Sequence, residues 1–107
     1  MTETEKLYKV FEKIGREAVL EQLIEECGEL VQAAAKQLRI LRGVNYTPVK
    51  LSENSSNLLE ESADLELCQK LLKISFCADT EQTEKRTEKI KAAKLARWLE
   101  RLEIEVK

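Results

Sequence analysis

A chain of 107 residues with 36% charged residues, three Gly, one Pro and five aromatics is shorter than a typical domain and favours helices over sheets, hairpins or disorder. Its 18 basic and 20 acidic residues nearly cancel, which excludes the strongly basic signature of a nucleic-acid binder. The complete lack of histidine excludes Ser-His-Asp and Cys-His catalysis, His-ligated haem or zinc and the Glu-x-x-His di-iron bundle, and leaves oxygen-ligand metal chemistry as the kind most easily built. We expect a single all-α domain over residues 1–107, large enough to bury about two-thirds of its unfolded surface without disulfides or zinc.

The chain opens Met1-Thr2-Glu3-Thr4-Glu5-Lys6, acidic where a signal peptide would be basic and then apolar. Thr2 and Glu5 have the capping-box form, and Leu7, Val10, Phe11 and Ile14 follow at helical spacing until Gly15 interrupts, which predicts a first helix. From Arg16 to Arg42 the apolar positions Leu20, Leu23, Ile24, Cys27, Leu30, Val31, Ala34, Leu38 and Leu41 keep a helical period, with Gly43 as the C′ residue of a second helix. Residues 43–56 hold the lone proline and a cluster of polar turn formers, and read as a loop with at most one helical turn. Asn57, with Glu60 three residues on, is the expected cap of a third helix running through Leu58, Leu65 and Leu72 to about Ser75. Asp79-Thr80 then starts a charged fourth helix whose later half carries Ile90, Leu95, Trp98, Leu99 and Leu102. No run approaches the ~18 apolar residues of a membrane span. Cys27, Cys68 and Cys77, odd in number and set in apolar helical stretches, read as free buried thiols of a reducing, cytoplasmic protein.

Glu26 and Glu29 lie three apart on the second helix, and Glu61 and Asp64 repeat that spacing on the third, so each pair projects from one face a turn apart. Glu61 falls inside the arc of Leu58, Leu65, Cys68 and Leu72, and Glu26 lies between Leu30 and Ala33 on the flank of its own stripe. Antiparallel packing of the two helices would bring four acids together. Acids on apolar faces repel and are costly to desolvate unless paired or bound to a cation, and an all-oxygen set suits Mg²⁺, with Mn²⁺ as substitute. Pairing with a base from another helix is the structural alternative, because E-x-x-E spacings also arise by chance in Glu-rich helices.

The segments Glu25-Glu26-Cys27-Gly28-Glu29 and Glu61-Ser62-Ala63-Asp64, in their helical context and 31 residues apart, resemble the E-E-x-x-E and E-x-x-D signature of the MazG-like all-α nucleoside triphosphate pyrophosphohydrolases. The resemblance spans about residues 14–102 and includes the basic helix Lys94-Leu-Ala-Arg97-Trp98-Leu-Glu-Arg101. It implies that Glu26, Glu29, Glu61 and Asp64 hold Mg²⁺, that Glu25 and Glu26 serve catalysis, with Glu25 as an outer acid or water-orienting base, and that a nucleoside triphosphate is hydrolysed to the monophosphate and pyrophosphate. Lys94, Arg97 and Arg101 recur along one stripe and could line a triphosphate, or pair with nearby glutamates in solvent. Trp98 and Tyr46 are candidate base-stacking residues, and a lone Trp on such a helix also serves as core. Gly28, which costs about 1 kcal/mol in a helix relative to Ala, is expected to admit close approach of a neighbouring helix or substrate. The architecture expected is a bundle of four main helices completed as a homodimer or homotetramer. A non-catalytic helical interaction module that retains the carboxylates is the rival reading.

Overall fold

The computed structural model describes residues 1–44, 49–76 and 80–105, so Tyr46, Cys77 and Asp79 lie outside the described residues. The described residues form three helices and no strand: α1 (Glu3–Leu41), α2 (Leu51–Phe76) and α3 (Thr80–Arg101). None is long and apolar enough to cross a membrane. The chain divides into two units, Met1–Phe76 and Cys77–Lys107.

Thr2 caps α1 as its spacing to Glu5 predicts, its hydroxyl accepting the Glu5 N–H at 3.1 Å, and Glu3 and Glu5 put negative charge at the positive end of the helix. Four helices were expected and three are found, because the first two run together as one element through Gly15. Helical dihedrals break only there, at φ 82° and ψ 173°, a conformation that glycine adopts without the Cβ clash other residues would meet. At the far end Gly43, at φ 71°, donates to Ile40 O at 3.1 Å while Val44 donates to Arg39 O at 3.0 Å, the paired closure expected of a C′ glycine.

α2 starts at Leu51, six residues before the expected Asn57 cap. Of the stretch that reads as a loop, residues 51–56 are helical, because α1 satisfies their polar groups. Buried Asn54 donates its amide to Ala33 O at 3.1 Å and to Gln37 Oε1 at 2.6 Å, and Gln37 donates in turn to Ser55 Oγ at 2.9 Å. Asn57 is exposed inside the helix and caps nothing. At the opposite end of the pair Arg16 Nε donates to Ser75 O at 3.1 Å, so one of the carbonyls left over at the C-terminus of α2 finds a cationic partner.

These two clasps make α1 and α2 antiparallel. On α1 the seam runs through Val19, Leu23, Glu26, Leu30, Ala33, Gln37 and Ile40; on α2 it runs through Asn54, Leu58, Glu61, Leu65, Cys68, Leu72 and Ser75. Every one of these residues is buried or half-buried, and their alternating spacings of four and three are those of ridges meeting grooves at a shallow crossing angle. Val19 is the most completely enclosed large side chain, and Leu71 and Ile74 close the same end. Before the kink, Leu7 and Phe11 are half-buried and Glu3 pairs with Lys70 at 2.6 Å, an exposed contact contributing no more than about 1 kcal/mol.

The inner seam does not follow the apolar stripe that the sequence shows most clearly. Leu20, Ile24, Val31, Leu38 and Leu41, with Cys27 and Ala34 between them, are all exposed. Cys27 is therefore a free but exposed thiol, contrary to expectation, because it sits one residue round the helix from the seam; Cys68 is free and buried as expected.

In the second unit, α3 is laced by Glu81–Lys85 and Glu88–Lys91 pairs at 3.5 and 3.3 Å, and Leu99 is its one half-buried large apolar residue. It closes as α1 does, with Glu103 donating to Glu100 O at 3.1 Å and Ile104 to Leu99 O at 2.9 Å, but the left-handed residue, Glu103 at φ 57°, is not glycine.

Asn54→Ala should lower unfolding free energy by about 1–3 kcal/mol, since it strands Gln37 in the seam. Asn57→Ala should raise it by about 0.5 kcal/mol through helix propensity alone. Urea denaturation of the two variants checks both signs; a loss at Asn57 would mean that the helix starts there after all.

Candidate metal centre

Glu26 and Glu29 stand one turn apart in the middle of α1, and Glu61 stands at the seam position of α2 that faces them. One carboxylate oxygen from each lies within 4.8 Å of the other two. Glu26 is buried, 9% exposed, and Glu29 and Glu61 are half-buried. The convergence expected from the two spacings is thus present for three of the four acids. Asp64 is exposed and outside this group, though close enough for its charge to act on both Glu26 and Glu29. Glu25 is exposed, and it too reaches the cluster through its charge.

The trio is incompletely satisfied. Gln22, one turn before Glu26, donates to its Oε1 at 2.8 Å. Glu26 Oε2 and Glu61 Oε2 are buried with no hydrogen-bond partner. No cation pairs with any of the three among the described residues, so the structural alternative of a base from another helix is not what the seam contains. Burial, followed by the charges of Glu29 and Asp64, pushes the Glu26 carboxyl above its ordinary value, and the bond from Gln22 opposes that. Glu29 is raised first by a hydrogen bond with Glu61 and by the charge of Glu61, then by burial. Burial also raises the Cys68 thiol, helped by the charges of Glu26 and Asp64.

A set of oxygen donors with two buried lone oxygens fits a hard divalent cation, which would cancel the repulsion and complete the missing contacts. The donors come from two helices locked in register by the Asn54 and Arg16 clasps, so their approach is fixed by the fold. Sequence reasoning missed Gln22; its signal is the i, i+4 spacing to Glu26, at which a Gln amide reaches a carboxylate on the same helix face.

The basic residues form a separate group. Lys94, Arg97 and Arg101 lie on α3, in the second unit, and are exposed. Trp98 is 60% exposed, so within its unit it is not the core residue that a lone Trp often is. Tyr46, the other stacking candidate, is outside the described residues.

No family model matches the sequence, and neither the curated proteins nor the solved structures contain a match.

A carboxyl group raised above its ordinary value of 4.5 binds its proton more tightly in the folded than in the unfolded chain. Its stabilising effect is complete below 4.5 and lost as pH climbs through the raised value. In EDTA the melting temperature should therefore fall as pH rises from about 4.5 toward neutrality, and Glu26→Gln or Glu29→Gln should flatten that fall. A melting temperature that rises over this range, with the same slope in both variants, would contradict the cluster.

Proposed function

We propose that the chain is a divalent-metal-dependent hydrolase that converts a nucleoside triphosphate to the monophosphate and pyrophosphate, as its likeness to the MazG-like signature implies. The observation that carries the reading is the trio of Glu26, Glu29 and Glu61 with its two buried oxygens lacking partners. Random Glu-rich helices put such acids in solvent, whereas here they occupy a seam that apolar residues would fill at lower cost.

In this reading Glu26, Glu29 and Glu61 hold Mg²⁺ or Mn²⁺, with Asp64 completing the set at the solvent edge. The ion would supply charge to the phosphate oxygens and acidify a water. Glu25, exposed beside the cluster, orients or deprotonates that water as it attacks the α-phosphorus; the bond from that phosphorus to the bridging oxygen breaks and pyrophosphate leaves. From the resemblance alone, Lys94, Arg97 and Arg101 are proposed as phosphate contacts and Trp98 as a base-stacking residue. The chain acts as a homodimer or homotetramer of a helical bundle.

The test is a panel of nucleoside triphosphates incubated with Mg²⁺, with products separated so that monophosphate plus pyrophosphate is distinguished from diphosphate plus phosphate. Glu61→Gln should lower the rate by about 100-fold or more while the metal-free protein melts no lower than wild type, because one of three crowded acids has been removed. Mg²⁺ should raise the melting temperature of wild type and not of Glu61→Gln. Lys94→Ala and Arg97→Ala should slow every accepted nucleotide by similar factors, as phosphate contacts do. No hydrolysis by wild type and equal Mg²⁺ shifts in both proteins would leave the non-catalytic helical module in its place.

A further inference from the structure

The two oxygens of the Glu26 carboxyl group stand in different circumstances. Oε1 accepts a hydrogen bond from the Gln22 amide at 2.8 Å, whereas Oε2 is buried with no partner among the described residues. Glu26 is itself buried at the seam, while Gln22 is exposed on the turn before it. Glu29 stands on the turn after it, and Glu61 meets both from α2. Gln22 and Glu29 therefore flank Glu26 from opposite directions along α1, one as a neutral donor and the other as a member of the acid trio.

A carboxylate can offer a cation one oxygen or both. Ca²⁺ accommodates both, because it takes roughly six to eight oxygens in a flexible arrangement. Mg²⁺ and Mn²⁺ are smaller and prefer about six ligands near right angles, which the narrow bite of a chelating carboxylate does not match. An amide bound to Oε1 fixes the rotation of the Glu26 carboxyl group and leaves Oε2 as the oxygen for an ion held with Glu29 and Glu61. On an ordinary helix surface an i, i+4 Gln–Glu pair adds a little helix stability and selects nothing. Here the acceptor is buried and its second oxygen is orphaned within a cluster of acids, so the same bond acts on the geometry of a ligand.

We propose that Gln22 is a positioning residue that holds Glu26 to ligation through one oxygen and thereby makes the trio select Mg²⁺ or Mn²⁺ over Ca²⁺. The inference rests on the reading of Glu26, Glu29 and Glu61 as a hard-cation site, and it names the residue that determines which cation the site takes.

Calorimetric titration of the full chain with Mn²⁺ and, separately, with Ca²⁺ tests it in wild type and in Gln22→Met. Methionine keeps the length of the side chain and a good helix propensity, and it cannot donate. Wild type should bind Mn²⁺ more tightly than Ca²⁺. Gln22→Met should weaken Mn²⁺ about 10- to 100-fold and hold Ca²⁺ to within about 2-fold, so that the preference for Mn²⁺ falls about 5-fold or more. Helical circular dichroism of the metal-free chain should not change, Gln22 being exposed. A general loosening of the site would weaken both ions alike, and an unmoved ratio therefore overturns the proposal. So does a wild type that prefers Ca²⁺. Mn²⁺ binding in Gln22→Met with wild-type affinity overturns the role of Gln22 and leaves the metal site standing, whereas a wild type that binds neither ion overturns both.

Discussion

The fold is governed by what the seam between α1 and α2 must hold. Fourteen positions alternate down that seam, and besides Ser75 at its end, polar side chains occupy two of its layers. In one, Asn54, Gln37 and Ser55 exchange hydrogen bonds across the helices and leave the Asn54 amide donors paired. In the other, Glu26, Glu29 and Glu61 meet with two buried oxygens unbonded. A satisfied polar layer fixes register, since a slip of one turn would strand its amides. An unsatisfied layer of like charges opposes association of the two helices and is tolerated because the apolar layers and the clasps on either side hold them together. Register set by the neutral layer thus determines which acids meet in the charged one.

Gly15 extends this control to the N-terminal segment. By breaking the helical dihedrals it lets the residues before it leave the line of α1, and it puts Arg16 at the start of the straight run, where its guanidinium reaches the end of α2. The two ends of the pair are therefore held by different chemistry, a cation on a helix-terminal carbonyl at one and an amide network at the other. Neither needs the connecting segment to define the geometry.

α1 presents two faces about 100° apart, each with the same seven-residue repeat, and this resolves an apparent inconsistency in its composition. The inner face mixes Val19, Leu23 and Leu30 with Glu26 and Gln37, while the outer face is the more uniformly apolar of the two. Packing within the Met1–Phe76 unit has taken the less hydrophobic face. That choice is understandable because the inner face supplies specific polar partners for α2.

From the sequence alone come the all-helical class, the Thr2 cap, the break at Gly15, the stop at Gly43, the restart near Thr80 and the pairing of E-x-x-E with E-x-x-D on two helices. Each is a matter of local chemistry: capping oxygens, backbone freedom and side-chain period act within a turn or two and leave their mark in adjacent residues. Three things were decided only in three dimensions. The start of α2 moved from Asn57 to Leu51, because the groups that satisfy Asn54 and Ser55 lie about 20 residues earlier, on α1. The buried face of α1 turned away from its clearest apolar stripe, exposing Cys27 and centring Glu26, because hydrophobic periodicity reports that a face is apolar and not which neighbour covers it. Asp64 stayed at the edge while Glu29 and Glu61 met, because spacing along one helix fixes which side chains share a face, and only the crossing of two helices fixes which of them touch.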